Sequence, residues 1–457
     1  MLIVLVLYTI GGDIPICTAE KNQMFPRVAW SGENFLVVWE DERDTLSGIW
    51  GQLISNDGTL IGSNFPIGTL SGLLWGVSFG DSNYLVVGGS LYGQLYGQFV
   101  SPSGELVGTT FLITEGACRA CIAWGGKSYL IAWSKETGEW GRLFSSHGVP
   151  LSDSFMISPR DDTIALIDVC SNGNTYLVLL NKNGEDVLGR IISSQGMPLD
   201  TIFQISYGPI CEWPGGVASD GENYLVVWDD GRAEGATAWD IYGQIVSENG
   251  ELIGPEIPIS TANNDQRFCD VASGGMDYLV VWVDARSTPY WPIYGQFVSK
   301  EGALIDTNFM VTSNPPGIGG HQMHPTACAG GDGYLVVWTE ISDRTYAWDI
   351  YGNLVSFVGI EEGKHPSSSS ISLLQSFPNP FYRETEIRFI LNKDSNVTLT
   401  ILNILGQKIK EINLGHKLKG FHSVKVSTKK EGICGGVYFY QIKADGCILI
   451  QKMVVLH

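Results

Sequence analysis

Three copies of Trp-x-Asp-x-Arg hold the residue types best suited to chemistry: Trp39, Asp41 and Arg43; Trp228, Asp230 and Arg232; Trp282, Asp284 and Arg286. A fourth place keeps Trp338 and Glu340, with Asp343-Arg344 displaced. Carboxylates in this setting could take a cation such as calcium, and guanidiniums could clamp an anionic sugar. An Asp and an Arg two apart on a turn can also pair with each other and satisfy loop backbone. Structural ion pairs imitate sites in this way, and repetition at one scaffold position favours the structural reading.

A second set is aromatic. Trp239, Trp291 and Trp348 each stand two residues before an apolar strand start, at Ile241, Ile293 and Ile350. Exposed Trp and Tyr stack on sugars and anchor protein contacts, and Trp213, Tyr290 and Tyr346 lie nearby in sequence or in adjacent units. The competing reading has each ring covering the edge of its own unit. His321-x-x-His324 is a metal pair without an assured third ligand, and Cys118-x-x-Cys121 lacks a second pair. No Gly-x-Ser-x-Gly elbow, His-Glu-x-x-His helix or phosphate loop occurs, so no catalytic residue is assigned.

The elements that must position these residues come from a repeat. An aromatic opens a strand-like run at Phe35, Tyr84, Tyr129, Tyr176, Tyr224, Tyr278 and Tyr334, at spacings of 49, 45, 47, 48, 54 and 56. Six residues before each stands a small residue: Ala29, Ser78, Ala123, Cys170, Ala218, Ala272 or Cys328. A later glycine, Gly51 to Gly352, is followed by Ser-x-x-Gly turns such as Ser247 to Gly250. Each unit reads as four short strands, A to D, separated by Gly and Ser turns. Strand B, for example Tyr224-Leu225-Val226-Val227-Trp228, is apolar on both faces, as in a sheet packed between two neighbours. The fold class is therefore all-β, a seven-bladed β-propeller over residues 20–360. The last copy lacks strand D, and Ile10 to Ile16 matches the pattern of Ile253 to Ile259, so the N-terminus can close the ring. Residues 1–19 have a competing reading as a signal segment, with an apolar core from Leu2 to Leu7 and a small-residue cleavage site at Cys17-Thr18-Ala19.

Antiparallel succession puts the A–B and C–D turns on one face and the B–C and D–A loops on the other. The former are tight throughout; the latter are long and variable, longest in blades five to seven. Variable loops on a rigid scaffold carry binding, so the long-loop face is the candidate functional face, with ligand contact centred on Trp239, Trp291 and Trp348. The formal net charge is −20, and residues 371–457 hold 12 Lys+Arg against 6 Asp+Glu, which leaves residues 1–370 at −26. A body so acidic repels phosphate backbones, which argues against a nucleic-acid partner. No further stretch is long enough to span a membrane.

Residues 361–370 end in four serines and read as a flexible linker. Residues 371–457 show about seven short strands and suit a small immunoglobulin-like β-sandwich. Within them stand Phe377-Pro378-Asn379-Pro380-Phe381, Leu405-Gly406-Gln407 and Gly436-Val437-Tyr438-Phe439-Tyr440. These blocks resemble the type A C-terminal sorting domain of the type IX secretion system, with Pro378, Asn379, Pro380, Phe381, Gly406, Gly436 and Tyr438 matching its motif. The resemblance implies type IX-like secretion machinery as a partner and a secreted or cell-surface location. The function expected is an exported, non-catalytic propeller that binds a glycan or an envelope protein. Alternatives are a secreted propeller-fold glycoside hydrolase or lyase and a structural adhesion component, since fold alone does not decide chemistry.

Overall fold

The computed structural model describes residues 8–455 apart from 11, 44–46, 90–92, 162, 200, 209–211, 233–238, 276, 287–290, 313–320, 332, 342–346, 358–370, 378–380, 392, 404–407, 432, 434 and 445–446. Through the body the chain forms consecutive antiparallel sheets, one per repeat. Blade one takes Gln23–Trp30, Asn34–Asp41, Gly48–Ser55 and Leu60–Ser71 as its strands A to D. Blade five takes Glu212–Ser219, Tyr224–Asp230, Asp240–Val246 and Leu252–Ser260, and blade six Gln266–Ser273, Asp277–Asp284, Ile293–Ser299 and Leu304–Met310. The A strands of blades two, three and four are Leu73–Gly80, Arg119–Trp124 and Ile164–Ser171. Successive A strands adjoin, and that of blade seven, Gln322–Gly330, adjoins that of blade one, which closes a seven-bladed β-propeller.

The repeat sequence explains why the blades hold. Leu225, Val226, Val227 and Trp228 are completely buried, because strand B meets a neighbouring sheet on each face. The aromatic that opens strand B also carries a hydroxyl in most copies. Tyr84 Oη donates to the Asn34 carbonyl at 2.6 Å, Tyr129 to that of Asn83 at 3.0 Å, and Tyr224 to that of Thr175 at 2.8 Å. Each of these three hydroxyls satisfies a carbonyl of the preceding blade, where an unmet buried group costs about 1–3 kcal/mol. The Ser-x-x-Gly turns pack the same way. Gly58 sits at φ 85°, and a Cβ there would come within 3.0 Å of Ile14 and 3.1 Å of Leu354 of the preceding blade.

Blade seven is completed from the other chain end. Gly333–Ile341 and Trp348–Phe357 supply its strands B and C, and Ile14–Cys17 pairs antiparallel with the latter, Ile14 opposite Gly352 and Pro15 opposite Tyr351. Asn353 Nδ2 also donates to Asp13 Oδ1 at 3.1 Å. Cleavage after Ala19 would take this strand away; Leu2 to Leu7 lie outside the described residues.

The C-terminal unit is separate. Ile371–Phe377, Glu384–Leu391 and Gly420–Ser427 form one sheet; Lys408–Lys417, Ser395–Asn403, Gly436–Ala444 and Cys447–Val455 form the other. Alternate residues of both, Ile387, Phe389 and Leu391 with Val397, Leu399, Ile401, Tyr440 and Ile442, share one core. Phe381 is buried in that core, Gly436 opens its strand at φ 150°, and Tyr438 packs against the core. Pro378, Asn379, Pro380, Gly406 and the linker 361–370 lie outside the described residues.

Candidate functional site

The Trp-x-Asp-x-Arg copies fold into closed clasps. In blade six, Trp282 Nε1 donates to Asp284 Oδ2 at 2.7 Å, while the Arg286 backbone N–H and Nε both donate to Oδ1 at 2.8 Å and Nη2 to Oδ2 at 2.6 Å. Blade five repeats this with Trp228, Asp230 and Arg232, where the Arg232 Nη1 also reaches Glu256 at 2.7 Å. The guanidiniums of Arg232 and Arg286 lie over the Tyr242 and Tyr294 rings, 4.1 and 4.4 Å from the centroids. Both Asp side chains are wholly buried, and their oxygens are filled by indole and guanidinium donors from their own blade. Glu340 in blade seven accepts from Trp338 at 3.1 Å and from Gln322 at 2.8 Å. These carboxylates and guanidiniums spend their hydrogen bonds on one another and on the edge of the preceding blade, where Arg286 Nη2 donates to Ser260 at 3.0 Å.

Each of the three tryptophan residues contacts the following blade. The Trp239 ring lies under the Arg267 guanidinium at 4.5 Å, and its backbone N–H donates to Asp265 at 3.1 Å. Trp291 meets His321 edge-on at 5.1 Å. The Trp348 N–H donates to Asn22 at 3.3 Å. Asn22, Asp265 and His321 hold the same place in their blades, seven residues before the small core residue. All three rings are half-buried. Tyr290 and Tyr346 lie outside the described residues.

A different set of residues converges on the ring axis. A cavity of about 530 Å³ lies there, walled by the first halves of the A strands and therefore at the long-loop end. Arg27, Asp168 and Asp270, each two residues before the small core residue, line it together with Trp75, Trp213, Asp229, Arg267, Phe268 and His324. Of the residues picked from the sequence for the ligand, Trp239, Trp291, Trp348, Asp230, Arg232, Asp284 and Arg286, none is in the wall. Trp239 touches the cavity lining through Arg267.

A bulge shapes strand A in every blade but the third, whose Arg119–Trp124 pairs in unbroken register. Register shifts fall between Met24 and Arg27, Leu74 and Gly76, Leu166 and Asp168, Pro214 and Gly216, Arg267 and Asp270, and Met323 and Thr326. A bulge disrupts the ladder locally, and at or next to the shifts of blades two, five, six and seven a carboxylate of the preceding blade accepts a backbone N–H. Asp229 accepts from Phe268 at 2.7 Å and Cys269 at 3.2 Å, Asp168 from Val217 at 3.3 Å, Asp270 from Ala327 at 2.9 Å, and Glu40 from Leu74 at 2.8 Å. In blades six, seven and one the bulge residues Phe268, His324 and Phe25 take φ of 58°, 52° and 55°, a strained conformation for bulky side chains. His324 lies between the other two rings, 5.5 Å from Phe268 and 4.8 Å from Phe25.

The electrostatics follow from this crowding. Burial, then the Asp270 carboxylate beside it, pushes Asp168 up to about 7. Burial raises Asp229 to about 6 against the pull of its two N–H donors, and raises Asp270 as well. Burial and Arg27 lower His324 to about 4, so its imidazole is neutral at pH 7. Buried in the small core position, the thiols of Cys170 and Cys328 are pushed up to about 12, which leaves them inert. Cys118 and Cys121 are both free, and among the described residues no three His, Cys, Asp or Glu are grouped to hold a metal ion.

Residues 375–456 match the family described as the secretion system C-terminal sorting domain. They are a type IX sorting domain. The sorting domain marks the protein for export, to the cell surface or beyond it, and makes the type IX secretion machinery its partner. No described helix is long and apolar enough to cross a membrane. No curated protein matches the chain. Among solved structures, the WD40 β-propeller domain of Doa1 is similar at 11% identity and TM-score 0.46, over 76% of this chain and 97% of that one. A neuraminidase-like protein of A/little yellow-shouldered bat/Guatemala follows at 9% identity and TM-score 0.40, over 78% and 100%. A prolyl endopeptidase structure matches at 9% identity and TM-score 0.42, over 83% and 54%.

Proposed function

We propose that this protein is an exported β-propeller that binds a ligand, a glycan or an envelope protein, at the long-loop end of its ring axis. The carrying observation is the axial cavity, in which two guanidiniums and the Trp213 ring, 51% exposed, are presented by strands from different blades. A concave site with a few convergent polar groups on a rigid scaffold is the usual form of a binding site. Screening the full chain against envelope proteins and glycans tests it, with Trp213→Ala at the cavity and Lys127→Ala on the tight-turn face as the paired variants. Binding should fall with the first and survive the second; the reverse pattern would move the site to the other face.

One observation favours a second reading, hydrolysis or elimination on a glycan in the same cavity. A carboxyl raised to about 7 beside a second carboxylate is the arrangement an acid–base pair uses. Against it, Asp168 and Asp270 both accept backbone N–H groups from strand A of the adjoining blade. Release of reducing ends from polysaccharides, abolished in Asp168→Asn, would establish catalysis; binding without turnover would exclude it for the substrates tried.

A further inference from the structure

Charged side chains around the axis divide by what they have left to offer. The carboxylates of Asp168, Asp229 and Asp270 are turned to the backbone of the adjoining blade and staple it. The two guanidiniums are not so engaged. Arg27 is exposed, and its one hydrogen bond among the described residues runs from Nη1 to the carbonyl of its neighbour Pro26 at 3.0 Å. Arg267 lies over the Trp239 ring and 5.3 Å from the Phe268 centroid, which fixes its plane, while its buried Nε has no acceptor among the described residues. Neither guanidinium is in an ion pair among the described residues, in a body whose carboxylates outnumber its cations by 26. With acidic partners so plentiful, two planar donors left open in one cavity mark where an anion from outside is accepted.

We infer that the axial cavity takes the acidic group, carboxylate or sulfate, of a charged sugar, held by Arg27 and Arg267 with the ring against Trp213. This deepens the binding reading and rests on it. A sugar fits better than an acidic protein because the cavity, about 530 Å³, admits one or two saccharide rings. It also offers an exposed indole face for stacking. The groups facing it are Arg27, Arg267, Asp168, Asp229, Asp270 and His324, with the Cys121 and Cys269 thiols kept neutral by burial. As pH falls from 8 to 6, Asp168 and Asp229 take up protons while both guanidiniums keep their charge and His324 stays neutral. The cavity becomes more positive and should bind an anion more tightly.

The test is calorimetric titration of the full chain with polygalacturonate, chondroitin sulfate, dextran and polyglutamate at pH 6 and 8. Polygalacturonate or chondroitin sulfate should bind, more tightly at pH 6, with dextran at least about tenfold weaker. Arg27→Gln should lower that affinity about tenfold, the worth of a charge-assisted hydrogen bond. Arg27 is exposed, so its variant folds; Arg267→Gln, checked by its fluorescence melting curve, should do the same. Equal binding of dextran and the acidic polysaccharides, or an unchanged Arg27→Gln, overturns the anion assignment while leaving a binding face. Tighter binding of polyglutamate than of either polysaccharide overturns the sugar class. If no probe and no envelope protein binds at the long-loop face, the binding reading itself fails.

Discussion

Arg286 and Arg267 stand 19 residues apart in blade six and illustrate opposite fates of one side chain. Arg286 is spent: backbone N–H, Nε and Nη2 all go to Asp284, and Nη2 also reaches Ser260 at 3.0 Å. Arg267 is stacked in place on Trp239 but keeps its donors. The first lies two residues beyond its acid on the turn that leaves strand B; the second enters strand A next to a bulge that turns it to the axis. A charged residue becomes a candidate site when packing fixes it and leaves hydrogen-bonding capacity over, and the clasp meets only the first condition.

The comparison breaks most visibly if the clasp is opened. Asp284→Ala leaves the Trp282 indole and the Arg286 guanidinium without their acceptor in a mostly buried setting, and should destabilise the propeller by about 3 kcal/mol. All 14 tryptophans precede the sorting domain, so tryptophan fluorescence during urea unfolding of the full chain reads the propeller alone. Ligand binding by the folded fraction should not change.

A smaller effect comes from Asp168. Its folded pKa, about 7, stands above its ordinary value of 3.8, so the folded state holds the proton more tightly than the unfolded. Stability therefore falls as pH rises between those two values and levels off above 7, by on the order of 2 kcal/mol after allowing for partial hydration. Asp168→Asn should remove that part of the decline, seen as a flatter pH dependence of the urea midpoint than in the parent. A variant with an unchanged slope would show that Asp168 is ionised throughout.

Below these come the single donors. Tyr224→Phe deletes one hydroxyl that donates to the Thr175 carbonyl without changing the packed ring, and should cost about 1 kcal/mol in the same urea experiment. Arg27→Gln should shift stability by less than about 0.5 kcal/mol, as expected of an exposed residue, while lowering affinity for an acidic polysaccharide. That split between stability and binding is the sharpest form of the contrast with Arg286.

Much of the architecture was legible because one strand per repeat is apolar on both faces. Tyr224 to Trp228 and its copies have no polar side to blur the pattern, and the small residue six positions earlier keeps its place since no copy inserts there. The closing strand was readable from the likeness of Ile14-Pro15-Ile16 to Ile257-Pro258-Ile259. The axial residues were hidden for the opposite reason. The column two before the small residue reads Arg27, Gly76, Cys121, Asp168, Gly216, Asp270 and Thr326, so no type repeats often enough to form a motif. Trp-x-Asp-x-Arg repeated conspicuously because it serves every blade that carries it, which is what a scaffold device does. His321 and His324 sit three apart in sequence, yet one meets Trp291 and the other the rings of Phe25 and Phe268.

By itself the sequence determined the repeat, the strand order within a blade, the charge division and the sorting domain, all of which depend on neighbours within about 50 residues. Only the tertiary structure decided which side chains share the axis. Arg27 and His324 are nearly 300 positions apart and meet because the ring closes on itself, with Ile14–Cys17 completing the blade that carries His324. Bulges in strand A then choose which side chains turn inward, a decision made by how seven sheets crowd around one axis.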